Sequence, residues 1–324
     1  MKIKKVVLTT ALFASALIQA QYTDIINSNR PGKSISAFSV GKTVIQAEGG
    51  IYGIQEKHDL LRYEANGFGT DLNLRYGAFF EQLELDLDTQ YQYDWYQAPL
   101  INDTRGGLKQ FTIGAKYLIY DPFIKLTDKP NLYSWVANHK FNWKDFIPAV
   151  AVYGGVNLQL GPNPFTFDGD SRFSPKLMLI TQNQFGKHWV FVTNIIADKM
   201  MTKYPSYGVI ATMTRGFNMR WSGFFEFQGY KSDYYADTVF RFGAAYLVRE
   251  NIQLDASISK NVKETPALLF GNVGMSWRFD SDYKMEYKRV DKKKDDKDKK
   301  KDKKSKKDKG KKRKDEVELE KTKP

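Results

Sequence analysis

Cysteine is absent from this 324-residue chain, and histidine occurs only three times. Without cysteine there are no disulfides, thiolate metal ligands or thiol nucleophiles. Nucleophilic serine chemistry needs an oriented histidine base, yet no Gly-x-Ser-x-Gly segment accompanies His58, His139 or His188. We therefore expect a protein that is not an enzyme and that binds neither a cofactor nor a metal ion.

Long apolar runs are also missing beyond the N-terminus. A membrane-spanning helix needs roughly 18 or more consecutive apolar residues, and the mean hydropathy of the chain is only −0.52. These two properties exclude a bundle of transmembrane helices. They do not exclude a transmembrane β-barrel, whose strands alternate and are therefore only half apolar.

The first twenty residues have the organisation of an export signal. Lys2, Lys4 and Lys5 precede an apolar stretch over Val6–Ile18, and Ala20 supplies a small residue before Gln21. A basic start, a short apolar core and a small-residue cleavage site are typical of a secretory signal peptide. We assign residues 1–20 to this signal and expect the mature chain to begin at Gln21.

Alternation of apolar and polar residues recurs along the rest of the chain. In Leu83–Tyr93 the odd positions are leucine, threonine or tyrosine, and the even positions are glutamate, aspartate or glutamine. A period of two places these sets on opposite faces of a strand, and about ten residues cross a bilayer when the strand is tilted. Twelve segments fit, with weaker alternation in seven of them: Val44–Ile54, Phe68–Tyr76, Leu83–Tyr93, Phe111–Tyr120, Ile147–Leu160, Lys176–Gln182, Trp189–Asp198, Tyr207–Thr214, Trp221–Gly229, Thr238–Leu247, Ile252–Ser259 and Ala267–Phe279.

The twelve segments predict an all-β fold, a transmembrane antiparallel up-and-down β-barrel of about 12 strands over residues 43–280. Aromatic residues mark the predicted strand ends, among them Tyr52, Tyr76, Trp189 and Trp277. A soluble β-sandwich would also alternate, with its apolar face inside. Strand length and export favour the barrel, with outer-membrane lipid around it.

The connections predict the orientation of the barrel. One end has short turns, and the other has longer polar loops near Glu56–Glu64, Asp94–Gly106 and Gly161–Arg172. Outer-membrane barrels have short periplasmic turns and longer outer loops, which places both termini in the periplasm. Asp121–Phe146 is too long for a periplasmic turn, and we expect it to form a short helix or a folded-back loop.

The polar face of the strands would line the interior of such a barrel. Two interpretations stay open: a polar channel whose charges tune passage, and a closed barrel joined by internal ion pairs. Residues 21–42 precede the first strand and would either fold into the lumen or lead into it from the periplasm. The predicted lumen-lining residues are Gln46, Glu48, Asp71, Asn73, Arg75, Glu84, Asp86, Asp88, Lys116, Glu226, Arg241, Asp255 and Arg278.

Several short motifs resemble a bacterial outer-membrane transporter family that is often labelled a component of the meta-pathway of phenol degradation. The chain has Arg30-Pro31, then Val40-Gly41, then Gln46-Ala47-Glu48-Gly49-Gly50, and later Gly114-Ala115-Lys116-Tyr117. Members of that family open with Arg-Pro, then Val/Pro-x-Gly, then Gln-x-Glu-x-Gly. The resemblance covers about Asn29 to Phe279 and implies a channel for small or hydrophobic compounds. The aromatic-rich composition is similar to that of Bacteroidota proteins.

The last residues of the chain are dominated by lysine and aspartate. Residues 291–324 hold 18 Lys and Arg against 10 Asp and Glu, so much of the formal charge of +13 lies there. Such a segment cannot bury enough apolar surface to fold. We expect residues 281–324 to be a disordered periplasmic tail, either functionless or bound to peptidoglycan or a periplasmic protein, and not to nucleic acid. A non-conducting scaffold that uses this tail is the alternative to a channel.

Overall fold

The structure is a computed structural model that describes residues 26–122, 146–166, 170–185, 188–233 and 235–279. The predictions for residues 1–20, for the tail and for most of Asp121–Phe146 lie outside these ranges. Within the described ranges, no helix is long and apolar enough to span a membrane. The strands β1–β12 are Ile45–His58, Tyr63–Gly77, Leu83–Ala98, Ile101–Tyr120, Ala149–Leu158, Phe173–Phe185, Trp189–Asp198, Ser206–Gly216, Trp221–Ser232, Ala236–Arg249, Ile252–Asn261 and Ala267–Phe279.

These strands form one closed antiparallel sheet in which each strand pairs with its neighbours in sequence. The barrel closes between β1 and β12, with Ile45 opposite Phe279 and Lys57 opposite Ala267. Closure gives every strand edge a partner, which lipid requires because it offers no hydrogen-bonding groups. The predicted up-and-down barrel of twelve strands is therefore confirmed.

The outward face of the barrel is apolar. Side chains such as Ile51, Ile113 and Val273 are exposed on it, as an outer-membrane barrel presents them to lipid. Aromatic residues lie at both ends of the strands: Trp277 lies near one rim of the barrel and Trp95 near the other. The prediction that Tyr52 marks a strand end is wrong, because β1 continues to His58. Its side chain is buried inside and donates to Gln92 Oε1 over 3.2 Å.

Two of the predicted outer loops are wrong. The region Asp94–Gly106 is a hairpin, because β3 reaches Ala98 and β4 begins at Ile101. Some of the polar residues that suggested a loop, Asp94, Asp103 and Arg105, lie on the inner face of strands longer than ten residues, and Arg105 Nε binds Asp94 Oδ1 across this pair over 2.8 Å. Likewise, Glu56–Glu64 is mostly strand, and only residues 59–62 connect β1 to β2.

The interior of the barrel has two chemically different walls. The inner face of β1–β4 and β9–β12 carries mostly charged and polar side chains, such as Arg75, Glu84 and Glu226. The inner face of β5–β8 is mostly apolar and packs into one cluster, whose members include Ala151, Tyr153, Met178, Ile180, Ile196 and Ile210. On these strands both faces are apolar, which is why their alternation in the sequence is weak.

Candidate functional site

Residues 26–44, which we call the N-terminal plug, lie inside the barrel. They form no helix or strand, and Ala37, Val40 and Arg30 are buried there. An eight-stranded barrel is just filled by its own side chains, so twelve strands leave room for a further segment. A buried backbone without regular structure must find side-chain partners for its N–H and C=O groups. The polar wall of the lumen supplies them.

Strand β1 binds the beginning of the plug. Glu48 accepts hydrogen bonds from the backbone N–H groups of Asn29 over 3.1 Å and Arg30 over 3.2 Å, and from the Ser28 hydroxyl over 3.0 Å. Gln46 Nε2 donates to the Asn27 carbonyl over 3.1 Å. Both side chains lie on the inner face of β1 because they are two positions apart.

The opposite wall binds the middle of the plug. Glu226 on β9 accepts from the backbone N–H groups of Lys33 over 2.9 Å and Ser34 over 3.2 Å. Asn194 on β7 accepts from the Ile35 N–H over 2.6 Å and donates to the Ile35 carbonyl over 2.9 Å. A single amide side chain therefore forms hydrogen bonds with both the N–H and the C=O of one plug residue, as a neighbouring strand would.

The end of the plug is bound by β3 and β4. Lys116 Nζ donates to the carbonyls of Ser36 and Phe38, each over 2.9 Å, and the same nitrogen is 2.9 Å from Glu84 Oε1. Glu84 Oε2 accepts from the Val40 N–H over 2.8 Å. The lysine is buried with its carboxylate partner, which limits the cost of removing both charges from water.

Arg30 is the main charged anchor of the plug. Its guanidinium forms ion pairs with Asp71 on β2 and with Asp255 on β11, the latter at 3.3 Å, and it also donates to the Asn272 amide on β12. Gly50 and Gly274 face each other beside it across the β1–β12 pair. A Cβ at either glycine would collide with the guanidinium, so the close approach requires glycine there.

A second buried arginine joins the wall beneath the plug. Arg75 on β2 is fully buried and pairs with Glu48 and Glu84, each at 2.9 Å. It also donates to the Asn27 carbonyl over 2.8 Å. These contacts orient both carboxylates, and Glu48 and Glu84 in turn bind the two ends of the plug. One guanidinium thus couples three strands of the wall to the plug.

The structure places all thirteen predicted lumen residues on the interior side of the barrel. Nine of them contact the plug: Gln46, Glu48, Asp71, Arg75, Glu84, Lys116, Glu226, Asp255 and Arg278, the last through the Val40 carbonyl at 3.4 Å. The other four bind wall side chains, in the pairs Asn73–Asp86 and Gln110–Asp88, each over 2.8 Å, and Arg241–Glu226 at 3.1 Å. That they line a conducting path stays a prediction.

One protein family matches most of this chain. Residues 28–279 match the family model described as "Putative MetA-pathway of phenol degradation". The chain belongs to this family. The match begins in the plug and ends with the last residue of β12, so the family model covers nearly all of the plug and the whole barrel. A search of curated proteins found no match.

Several solved structures are similar to this phenol-degradation family member at low sequence identity. An outer-membrane channel from Pseudomonas putida F1 aligns with a TM-score of 0.53 at 11% identity, over 78% of this chain and 100% of that one. The translocator domain of autotransporter NalP from Neisseria meningitidis aligns at 0.46 and 8%, over 74% and 89%. The KdgM porin with disordered oligogalacturonate aligns at 0.43 and 11%, over 71% and 99%. The first likeness supports the outer-membrane barrel fold.

The family motifs have a common physical role in this chain, which is to seat the plug. In Gln-x-Glu-x-Gly, Gln46 and Glu48 bind plug backbone and Gly50 makes room for the arginine of Arg-Pro. In Gly-x-Lys-Tyr, Lys116 binds two plug carbonyls. The spacing of two in each motif keeps the interacting side chains on the inner face of one strand.

Sequence reasoning missed three amide side chains that bind the plug. They are Gln182, which accepts from the Ala37 N–H over 3.0 Å, Asn194, and Gln253, which donates to the Arg30 carbonyl over 3.1 Å. Asn194 lies between Val192 and Ile196 on the inner face of β7, where it is the only amide. An isolated amide in an apolar strand has to find a partner when it is buried, so that pattern was a usable signal.

The end of the barrel opposite the start of β1 is also narrowed. The connection between β5 and β6 folds over it, because Asn163 Nδ2 donates to the Lys109 carbonyl over 3.1 Å. The Phe165 ring lies 5.4 Å from the Arg105 guanidinium, which also covers the Tyr96 ring at 4.7 Å. Cation–π contacts of this kind hold the loop against the long β3–β4 hairpin.

Two of the three histidines lie at opposite ends of the barrel. His58 ends β1, while His188 immediately precedes β7, which starts at the other rim, and His139 lies outside the described residues. Among the residues that the structure describes, no group of three or more His, Asp or Glu side chains could hold a metal ion. The prediction that the chain is not an enzyme stays a prediction.

Proposed function

We propose that this chain is an outer-membrane channel that carries small solutes, including hydrophobic or aromatic compounds. The observation that carries the proposal is the non-covalent filling of the lumen. Residues 26–44 occupy the interior of the barrel, where hydrogen bonds and ion pairs to the wall hold them. The barrel sheet is complete without the plug, so the plug can move without breaking a strand pair.

The apolar wall of β5–β8 supports the inclusion of hydrophobic solutes. Tyr153, Met178, Ile196 and Ile210 face the interior on consecutive strands. A water-filled porin is polar around its whole interior, whereas a surface of this kind favours apolar molecules. Family membership supports the same class, since the family is described by a pathway that degrades phenol, an aromatic compound.

A non-conducting scaffold is the second candidate, and the occluded lumen favours it. In that case the ion pairs of the lumen serve stability alone, and residues 291–324 would join the barrel to peptidoglycan or a periplasmic protein by charge attraction. Planar-bilayer recording of the purified full chain separates the two functions. Stepwise conductance supports the channel. A flat trace from wild type, and also from a variant with a weakened plug, would eliminate it.

We further propose that both termini of the barrel are periplasmic. This predicts that Leu100→Cys is labelled in intact cells by a maleimide on a large polyethylene glycol, whereas Met219→Cys is not. The two side chains are matched, because both are fully exposed in short connections at opposite ends of the barrel. The natural chain has no cysteine, so the background is nil. Labelling of Met219→Cys alone would reverse the orientation.

A further inference from the structure

A cavity lies beside the plug at the rim where β1 starts. Its volume is about 340 Å³, and it is bounded by the plug on one side and by residues of β6–β11 on the other. This volume lies at the lower end of the range of small-molecule sites, roughly 300–1,000 Å³.

Four neutral polar side chains face this cavity with unused hydrogen-bonding capacity. They are Gln182, through its Nε2, and Gln184, Thr214 and Ser222. Gln182 Oε1 accepts a hydrogen bond from the plug. Among the described residues, none forms a hydrogen bond with Gln182 Nε2 or with the side-chain polar atoms of the other three. Convergent polar groups without protein partners are what a solute-binding site offers to a ligand.

Apolar side chains form the rest of the cavity wall. Phe38 contributes from the plug, Val190 and Val192 from β7, Phe224 from β9 and Ala245 from β10. An aromatic or aliphatic group that binds against these side chains leaves water, which lowers its free energy. Apolar walls with a few directed polar groups restrict the ligand to molecules that have both properties.

The cavity is unsuited to ionic ligands. Arg30 reaches its lining, but its guanidinium is already bound to Asp71, Asp255 and Asn272. No other charged side chain borders the cavity among the described residues. An anion or cation entering it would lose hydration without gaining a counter-charge, which is costly.

We propose that this cavity binds small neutral solutes that carry a hydroxyl or carbonyl group on an aromatic or aliphatic body. The inference names the substrate class of the channel and rests on the proposed function only in that respect. The solute places its polar group against Thr214, Ser222 and the Gln182 amide, and its apolar body against Phe224 and Val192. The cavity then forms the periplasmic stretch of the path, between the plug and β6–β11.

The test uses ¹⁹F NMR of 4-fluorobenzyl alcohol with the purified full chain in detergent micelles. Ala245→Trp fills the cavity, while Ala256→Trp adds the same side chain to the outward face of β11 and controls for binding to micelles and to the barrel surface. We expect saturable binding in wild type and in Ala256→Trp. We expect affinity to fall by roughly tenfold or more in Ala245→Trp, because the site is filled.

Two milder comparisons keep the test independent of any folding defect. Thr214→Val removes one hydroxyl with little change of volume and should weaken binding roughly threefold to tenfold, while Thr193→Val on the outward face of β7 should not. The anionic 4-fluorobenzoate should bind at least roughly tenfold more weakly than the alcohol. Unchanged affinity in both cavity variants, with the barrel intact by heat-dependent gel migration, would overturn the proposal, as would equal binding of the benzoate. Conductance is measured separately, so loss of one activity does not decide the other.

Discussion

Replacing Arg30 by alanine is expected to raise the ratio of open to plugged channels by roughly a hundredfold to several thousandfold. The substitution removes the partner of two carboxylates that are buried in the lumen, Asp71 and Asp255. Breaking a buried ion pair in this way costs about 3–5 kcal/mol, and each 1.4 kcal/mol is tenfold in an equilibrium. That cost falls on the plugged state, because both carboxylates can hydrate once the plug leaves the lumen.

Single-channel recording of Arg30→Ala in planar bilayers measures this effect. Lys33→Ala is the matched control, because Lys33 lies in the same plug but is partly exposed, and its ion pair with Asp71 is long at 3.8 Å. The control should change the ratio of open to plugged channels by no more than about fivefold. An open fraction equal to that of wild type, in a barrel that still migrates as folded, would show that Arg30 does not hold the plug.

The strands that the sequence predicted best are those with chemically opposite faces. Leu83–Tyr93 alternates strictly because its outward side chains meet lipid and its inward side chains bind ions and amides. The strands β5–β8 alternate weakly because the interior beside them is apolar as well. Alternation therefore reports the contrast between two environments, and it fades wherever the lumen itself resembles lipid.

Parity alone predicted which side chains point inward, but it did not predict their partners. Every second residue of a strand faces the lumen, so Glu48, Asp71 and Asp255 could be identified without a fold. Their common partner Arg30 lies 41 positions from Asp71 and 225 from Asp255, and this contact exists only because the barrel closes. For the same reason, the sequence left open whether residues 21–42 enter the lumen.

Arg75→Ala is expected to destabilise the whole barrel by about 3–5 kcal/mol. Arg75 is fully buried, and it is shared by Glu48 and Glu84, which hold the two ends of the plug. Its removal leaves two carboxylates close to each other and away from water, with Lys116 as the remaining cation beside Glu84. The measurement is urea unfolding of the refolded chain in lipid vesicles, followed by tryptophan fluorescence and by heat-dependent gel migration.

Lys57→Ala provides the control for an ion pair outside the lumen. Lys57 pairs with Asp59 and Glu64 at 3.9 and 3.7 Å, and its side chain is 58% exposed, so its removal should cost less than about 1 kcal/mol. A double-mutant cycle with Glu84→Gln separates charge from packing. If Arg75 acts by neutralising Glu84, the double variant loses less stability than the two single losses together, by about 0.5–3 kcal/mol. Strict additivity would mean that Arg75 only fills space, and the electrostatic account of how the wall holds the plug would fail with it.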